Sequence, residues 1–427
     1  MEFSLDTARR RRGILVASIV LAVLVIFQAG RFWLADSRMR SGGIARMLRG
    51  VALVPENGEA WDRIGRFYEF DFADPDPSRA IAAYQHALRE DPNSSYFLID
   101  LSRGYEDVGD YVHAREALDR AEAVYPLSAE VAFNYGSFSI RREDYLDGYR
   151  KIRQAVTTDP KLLSLAIGRT WRATGDVDGL LDRALPDDAG AYLEALNFFA
   201  QINQPDAGMA VWQRLVGLKR PFDLSRTFPF FNTLIANDRA QDASRAWREA
   251  LAADGIPEGH SNHSLVWDGD FTQGFVNGGL GWYEDSPPGV SISFDSPPPG
   301  KQGRSVRLDF NGGVNPDLVA VKQFVPVEPS TTYHFHAYLR TVQITTDSGM
   351  RVLITDPYHG AVNILTDGLI GSVPWKPIDV GVMTGPQTHF VLVQLIRHPS
   401  RLFDNKLSGT AWIGDVSLTG PSASVRP

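Results

Sequence analysis

The chain has 427 residues, 44% apolar and 22% charged, with a formal net charge of −8 and no cysteine. That length exceeds one ordinary core, which stays single only up to ~250 to 300 residues, and the globular composition excludes long disorder and a polytopic membrane protein. The charge divides as +4 over 1–40, −9 over 41–258 and −3 over 259–427, which is no nucleic-acid footprint, and the lack of cysteine excludes disulfides, thiolate nucleophiles and thiolate metal sites.

The first element is apolar. Gly13 to Gly30 carries no charged residue and continues past Arg31 into Phe32, Trp33 and Leu34, so at 1.5 Å per residue it reaches ~30 Å, one hydrocarbon thickness. Residues 13–35 are expected to be a transmembrane helix and 1–12 a cytoplasmic tail. Arg9 to Arg12 abut the span on one side, and Phe32 and Trp33 stand where an aromatic belt lies on the other. A signal peptide is the rival; the run is longer than a usual h-region, and no good small-x-small pair follows Ile26. The compact N-terminal arginine cluster favours N-terminus inside and soluble domains exoplasmic. Arg31, Arg38, Arg40, Arg46 and Arg49 on the far side oppose it.

Next comes a period. Pro92, Pro126 and Pro160 are each 34 residues apart. Ala80, Ala114 and Gly148 lie twelve residues before them, Tyr84, Leu118 and Ile152 eight before, and Ala87, Ala121 and Ala155 five before. Small residues let paired helices approach, large ones fill the gap, and proline ends the second helix. The pattern resembles the tetratricopeptide family closely, with Trp61, Ile64, Gly65 and Tyr68, then Leu98, Leu101 and Tyr105, at first-helix positions. A three-residue insertion around Phe72 to Ser78 departs from it. The expected domain is 43–256, five or six helical hairpins, the last ones irregular. The resemblance implies a concave groove that takes a peptide. Its positions here are Glu59, Asp62, Arg66 and Glu69, then Tyr96, Arg103, Glu106 and Asp107, then Glu130, Phe133 and Arg141, a mixed-charge face or a merely solvated one.

After His260 the texture becomes short alternating runs broken by Gly, Pro, Asn and Asp, the mark of strands. Strands are expected at 305–310, 318–327, 332–339, 350–356, 375–382, 390–397 and 412–419. They form a β-sandwich over 263–420 with jelly-roll topology. Asp268-Gly269-Asp270-Phe271, Gly281-Trp282 and Trp412-Ile413-Gly414-Asp415 resemble galactose-binding-type jelly rolls, in particular family 4/9-like carbohydrate-binding modules. That resemblance implies adjacent opening and closing strands with a structural calcium between them, at Asp270 and Asp415, although Thr272 replaces a usual Glu ligand. It also implies a glycan or polysaccharide ligand. Flat aromatic faces and planar polar groups suited to sugars are Trp282, Tyr283, Tyr338, Tyr358 and Trp375 with Arg340 and Gln394.

No Gly-x-Ser-x-Gly, His-Glu-x-x-His, Walker loop or dinucleotide fingerprint is present. His334 and His336 share a strand face without a third ligand at metal spacing. The expected protein is multidomain: a transmembrane helix, an all-α solenoid and an all-β sandwich, non-catalytic and needing no cofactor. Its repeats would bind a membrane-proximal protein and its sandwich a glycan, in cell-surface polysaccharide assembly or export. The alternatives are a structural adaptor without sugar binding and a carbohydrate-active enzyme.

Overall fold

The computed structural model describes residues 8–40, 43–71, 74–256 and 264–421. Most of the tail 1–12, Phe72 of the insertion, and residues 257–263 at the expected domain boundary lie outside them. The chain forms two compact units, Met1–Pro186 and Asp187–Pro427. The division falls inside the helical region rather than at the onset of strands.

Unit 1 begins with α1 (Ala8–Arg40), which runs unbroken through the expected end of the span, followed by α2 (Ile44–Val51). Among the described residues, one stretch, Arg11–Arg40 of α1, is long and apolar enough to cross a membrane, and its most apolar window is unburied. Helical hairpins follow: α3 (Gly58–Phe70) with α4 (Pro77–Glu90), α5 (Ser95–Asp107) with α6 (Tyr111–Val124), and α7 (Ala129–Arg141) with α8 (Tyr145–Thr158). Then come α9 (Leu163–Thr174) and α10 (Val177–Gly179), which continues into a π-helical turn, Leu180–Ala184.

Helices α3 to α7 each start where the sequence supplies a cap. The side chains of Asn57, Asp76, Ser94, Asp110 and Ser128 accept from the amides of Ala60, Arg79, Phe97, His113 and Val131, satisfying donors that a first turn leaves orphaned. The periodic positions are the core: Ala80, Tyr84, Ala87, Ala114, Leu118, Ala121, Ile152 and Ala155 are at most 1% exposed.

Unit 2 joins two hairpins, α11 (Ala189–Gln201) with α12 (Pro205–Gly217) and α13 (Phe228–Ala236) with α14 (Ala240–Ala253), to ten strands. The strands are β1 (Tyr283–Glu284), β2 (Val290–Asp295), β3 (Ser305–Asn311), β4 (Leu318–Pro326), β5 (Thr332–Ile344), β6 (Arg351–Thr355), β7 (Asn363–Leu365), β8 (Gly371–Met383), β9 (Phe390–Arg397) and β10 (Ser408–Thr419). They make two antiparallel five-stranded sheets, ordered β1-β4-β9-β6-β7 and β2-β3-β10-β5-β8. One core holds both together, with Val306, Phe335, Leu339 and Ile413 from one sheet meeting Val321, Ile354, Val393 and Leu395 from the other.

The opening segment lies along the closing strand, as the resemblance implies. Leu265 N donates to Leu418 O at 2.8 Å and Val416 N to Gly269 O at 2.8 Å. A Cβ on Gly269 would stand 1.8 Å from Val416 O, so no other residue fits there. The sandwich also meets the helices of its own unit: Trp267 of the opening segment packs edge-on against Trp247 of α14, and His389, just before β9, places Nδ1 2.7 Å from Asp238 Oδ2.

Candidate functional site

The first helices of consecutive hairpins, α3, α5, α7 and α9, line one groove in unit 1. Three depressions of about 250, 540 and 340 Å³ run together along it. The first two share Phe70, Ile99, Arg103 and Asn134, and the last two share Arg141 and Arg169.

The groove's charges are paired between repeats. Arg66 Nε donates to Asp100 Oδ2 at 2.6 Å and lies 3.0 Å from Asp62 Oδ2. Arg103 binds Glu69 and, at 2.8 Å, Asp100, and Arg141 holds Glu106 by two bonds of 2.6 and 2.7 Å. These rungs join residues 34, 34 and 35 apart, one repeat each. Asp62, Glu69 and Asp100 are buried, so three buried carboxylates share two arginines whose outer faces stay exposed. Burial and then the Asp100 charge push the Asp62 carboxyl up to about 7. Burial works against the Arg103 charge, but its bond to Glu69 and the charges of Asp100 and Glu69 outweigh it and raise its pKa. The Tyr84 hydroxyl, buried and donating to Glu69, is raised as well.

Most of the expected groove residues are therefore gathered in one place, but in a different role. Asp62, Glu69 and Glu106 are tied up internally. Phe133 is 4% exposed, under the Arg169 guanidinium at 5.3 Å. Asp107 lines the middle depression, its carboxyl raised by burial and by Glu69. Glu59 lines a separate small cavity with Ala35 and Met39 of α1, because the end of α1 and α2 pack ahead of α3. The side chains left for a ligand are Tyr96, Glu130 and the outer faces of Arg66, Arg103 and Arg141. Phe70, Asn134, Arg169 and Arg172, which periodicity did not single out, join them. Phe70 and Tyr96 are 58% and 56% exposed. Arg169 and Arg172 have no acidic partner among the described residues.

The sandwich departs more from expectation. Trp282 is 1% exposed, donates from Nε1 to Asp268 O at 3.1 Å and packs on Phe271, so it is core and offers no face to a sugar. Gln394 is 9% exposed, on the side of β9 opposite the core residues Val393 and Leu395. Tyr283 and Tyr358 turn toward the helices of the unit. The Tyr283 hydroxyl donates to Gly279 O and lies 3.3 Å from Asn232, and the Tyr358 hydroxyl donates to Ile235 O. Burial pushes both phenols up to about 12.

The remaining three share the outer face of the β2-β3-β10-β5-β8 sheet. Arg340 lies over the Trp412 ring at 4.5 Å, Lys301 over Tyr338 at 5.3 Å, and His336 stands edge-on to Tyr338. Half-buried Trp375 lies on β8 two residues from Pro377, the register partner of Tyr338. Trp412, 7% exposed, donates from Nε1 to Asp295 at 3.0 Å.

The calcium expectation does not fit the residues present. Asp415 pairs with the Lys301 ammonium at 2.6 Å, and Asp270 accepts from the Thr272 amide and hydroxyl. No cluster of three or more metal-ligating side chains occurs among the described residues. The opening motif is a structural device: buried Asp268 accepts from Thr272 Oγ1 and from the amides of Gln273 and Gly274, closing the turn that follows. Burial raises its carboxyl to about 6 while those bonds pull the other way.

No family model matches the chain, and no curated protein matches it. Among solved structures, the MamA protein is similar at 18% identity over 47% of this chain and 93% of that one, with a TM-score of 0.25. The Cut9–Hcn1 hetero-tetramer of the APC/C is similar at 14% identity over 45% and 39%, with a TM-score of 0.29. Neither likeness assigns the chain a family or a function.

Proposed function

We propose that the protein is a non-catalytic, membrane-anchored scaffold whose unit 1 groove holds an extended segment of a partner protein. The observation that carries this is the groove itself: continuous, lined by first helices, with two exposed aromatic rings at one end and three arginines, Arg141, Arg169 and Arg172, at the other. Its internal ion-pair rungs fix its shape before any ligand arrives, which lowers the ordering cost of binding. A segment with an apolar side chain for Phe70 and Tyr96 and acidic residues for the arginine end fits this surface.

An uncleaved anchor is favoured over a signal peptide by packing. Ala35 and Met39, just past the apolar run, are 5% exposed, and Met39 belongs to a core with Met47, Ile64 and Ala83. The sandwich, read as a galactose-binding-type jelly roll, is the glycan-contacting part in this proposal, through Tyr338, Arg340 and Trp375. Titrating purified protein with polysaccharides should show Tyr338→Ala weakening binding about tenfold or more. Binding untouched by the change would remove the sugar reading.

The scaffold reading is tested by a photo-cross-linking residue in place of Tyr96, with Leu127, exposed on the α6–α7 turn, as the control position. A discrete protein adduct is expected from the first position and not the second; adducts from both alike would sink the reading.

A further inference from the structure

The repeat spacing extends one unit further back than the helical hairpins do. Pro55 is preceded at twelve, eight and five residues by Gly43, Met47 and Gly50, the small, large and small residues that precede Pro92, Pro126 and Pro160. α2 therefore stands where the second helix of a repeat stands. Its partner is the C-terminal end of α1. A Cβ on Gly50 would lie 3.0 Å from Ala35 O, Arg38 Nη1 donates to Arg49 O at 3.2 Å, and Arg31 pairs with Glu56. Met39, Met47 and Val51 share one core with Ala60 and Ile64 of α3. The apolar helix and the first repeat helix are one continuous helix, with no linker between them.

The antiparallel course of α2 has a geometric consequence. Arg49 and Gly50 are level with Arg38 and Ala35, and Glu56 is level with Arg31, the residue after the last of the uncharged run. The chain thus turns back to within one or two helical turns of the end of the span, ~5–10 Å at 1.5 Å per residue. That is the depth of a headgroup layer. Phe32, Trp33 and Leu48 are exposed there, as are Ala52 and Pro55. Between Arg31 and Glu56 five arginines stand against two acids, Asp36 and Glu56.

We propose that the end of α1, α2 and the turn at 52–56 form a docking hairpin that lies on an anionic phospholipid surface, so that the repeats of unit 1 are held at the bilayer in one orientation rather than on a tether. Continuity with the apolar span and the excess of arginine identify the partner. The proposal rests on reading α1 as a membrane anchor.

The lack of native cysteine makes the full chain a ready template for single-site spin labels. Leu24→Cys reports mid-span, Ala52→Cys the turn, and Leu127→Cys a site on the α6–α7 turn. In vesicles of phosphatidylcholine with phosphatidylglycerol, Leu24→Cys should collide with oxygen and not with a water-soluble nickel chelate. Ala52→Cys should be shielded from the chelate about threefold relative to Leu127→Cys, and adding Arg46→Glu and Arg49→Glu should remove that shielding. If Leu24→Cys is lipid-immersed while Ala52→Cys is as open as Leu127→Cys, the docking hairpin is wrong and the anchor stands. If Leu24→Cys meets the chelate freely, both fall. Equal shielding of Ala52→Cys in phosphatidylcholine alone would overturn the choice of an anionic partner.

Discussion

Arg103→Met is expected to destabilise unit 1 by about 3 kcal/mol, the cost of breaking a largely desolvated ion pair, or about 9 °C in Tm for a body of this size. The guanidinium bridges two repeats, binding Glu69 of α3 and Asp100 of α5, and both carboxylates are at most 8% exposed. Its loss leaves Glu69 with the Tyr84 hydroxyl, and Asp100 with Arg66 and the neighbouring Asp62 carboxyl. Repulsion and desolvation then act together, and methionine fills the stem's volume without supplying a donor. Adding Glu69→Gln should recover about half of the loss, since an amide needs no counter-charge. Differential scanning calorimetry of the two variants decides it; equal Tm values for wild type and Arg103→Met would mean that the rungs are ornamental.

An effect of about 4 kcal/mol is expected from Arg397→Met in the sandwich. Arg397 ends β9 fully buried, and its guanidinium donates to Ser348 O at 3.0 Å, Pro316 O at 2.6 Å, Asn315 Oδ1 at 3.0 Å and Thr346 Oγ1 at 3.1 Å. No carboxylate touches it. Burial alone lowers its pKa despite the distant charges of Asp347 and Asp317. The group works as a many-armed donor that ties the loop before β4 to the loop after β5. When it goes, four bonds are lost, and although Ser348 O keeps Thr346 Oγ1 and Asn315 Oδ1 keeps the Ser400 amide, the two loops are no longer joined through one buried group. Arg397→Lys should rescue little, because an ammonium has three donors and a different reach. Urea unfolding followed by tryptophan fluorescence measures both; a midpoint unchanged in Arg397→Met would contradict this role.

What the sequence made legible follows from its periods. The 34-residue spacing located the helices of the repeats, because small residues are forced wherever paired helices meet. It did not expose the α1–α2 repeat, since its first helix runs on without a break from the apolar run and carries none of the family's first-helix marks. The groove charges looked like a free face. Their own spacing held the correction: Arg66 with Asp100, and Glu69 with Arg103, are opposite charges one period apart, which stacking brings together. In the sandwich, alternation locates most strands, but Trp282 and Gln394, expected at the surface, are buried. The near-continuous apolar run Phe390 to Ile396 carried the signal, because a strand apolar at almost every position is covered on both faces. The helices that meet this sheet belong to the same compact unit, a partnership that no local pattern announces.

If the groove between α3 and α9 binds protein, the cross-link yield from the probe at position 96 in native membranes depends on Phe70 and falls in Phe70→Ala. Loss of the neighbouring exposed aromatic should lower the yield of the adduct about tenfold, the cost of removing an interface anchor. A yield unchanged by Phe70→Ala, or matched by the probe at Leu127, would mean that the groove does not bind protein.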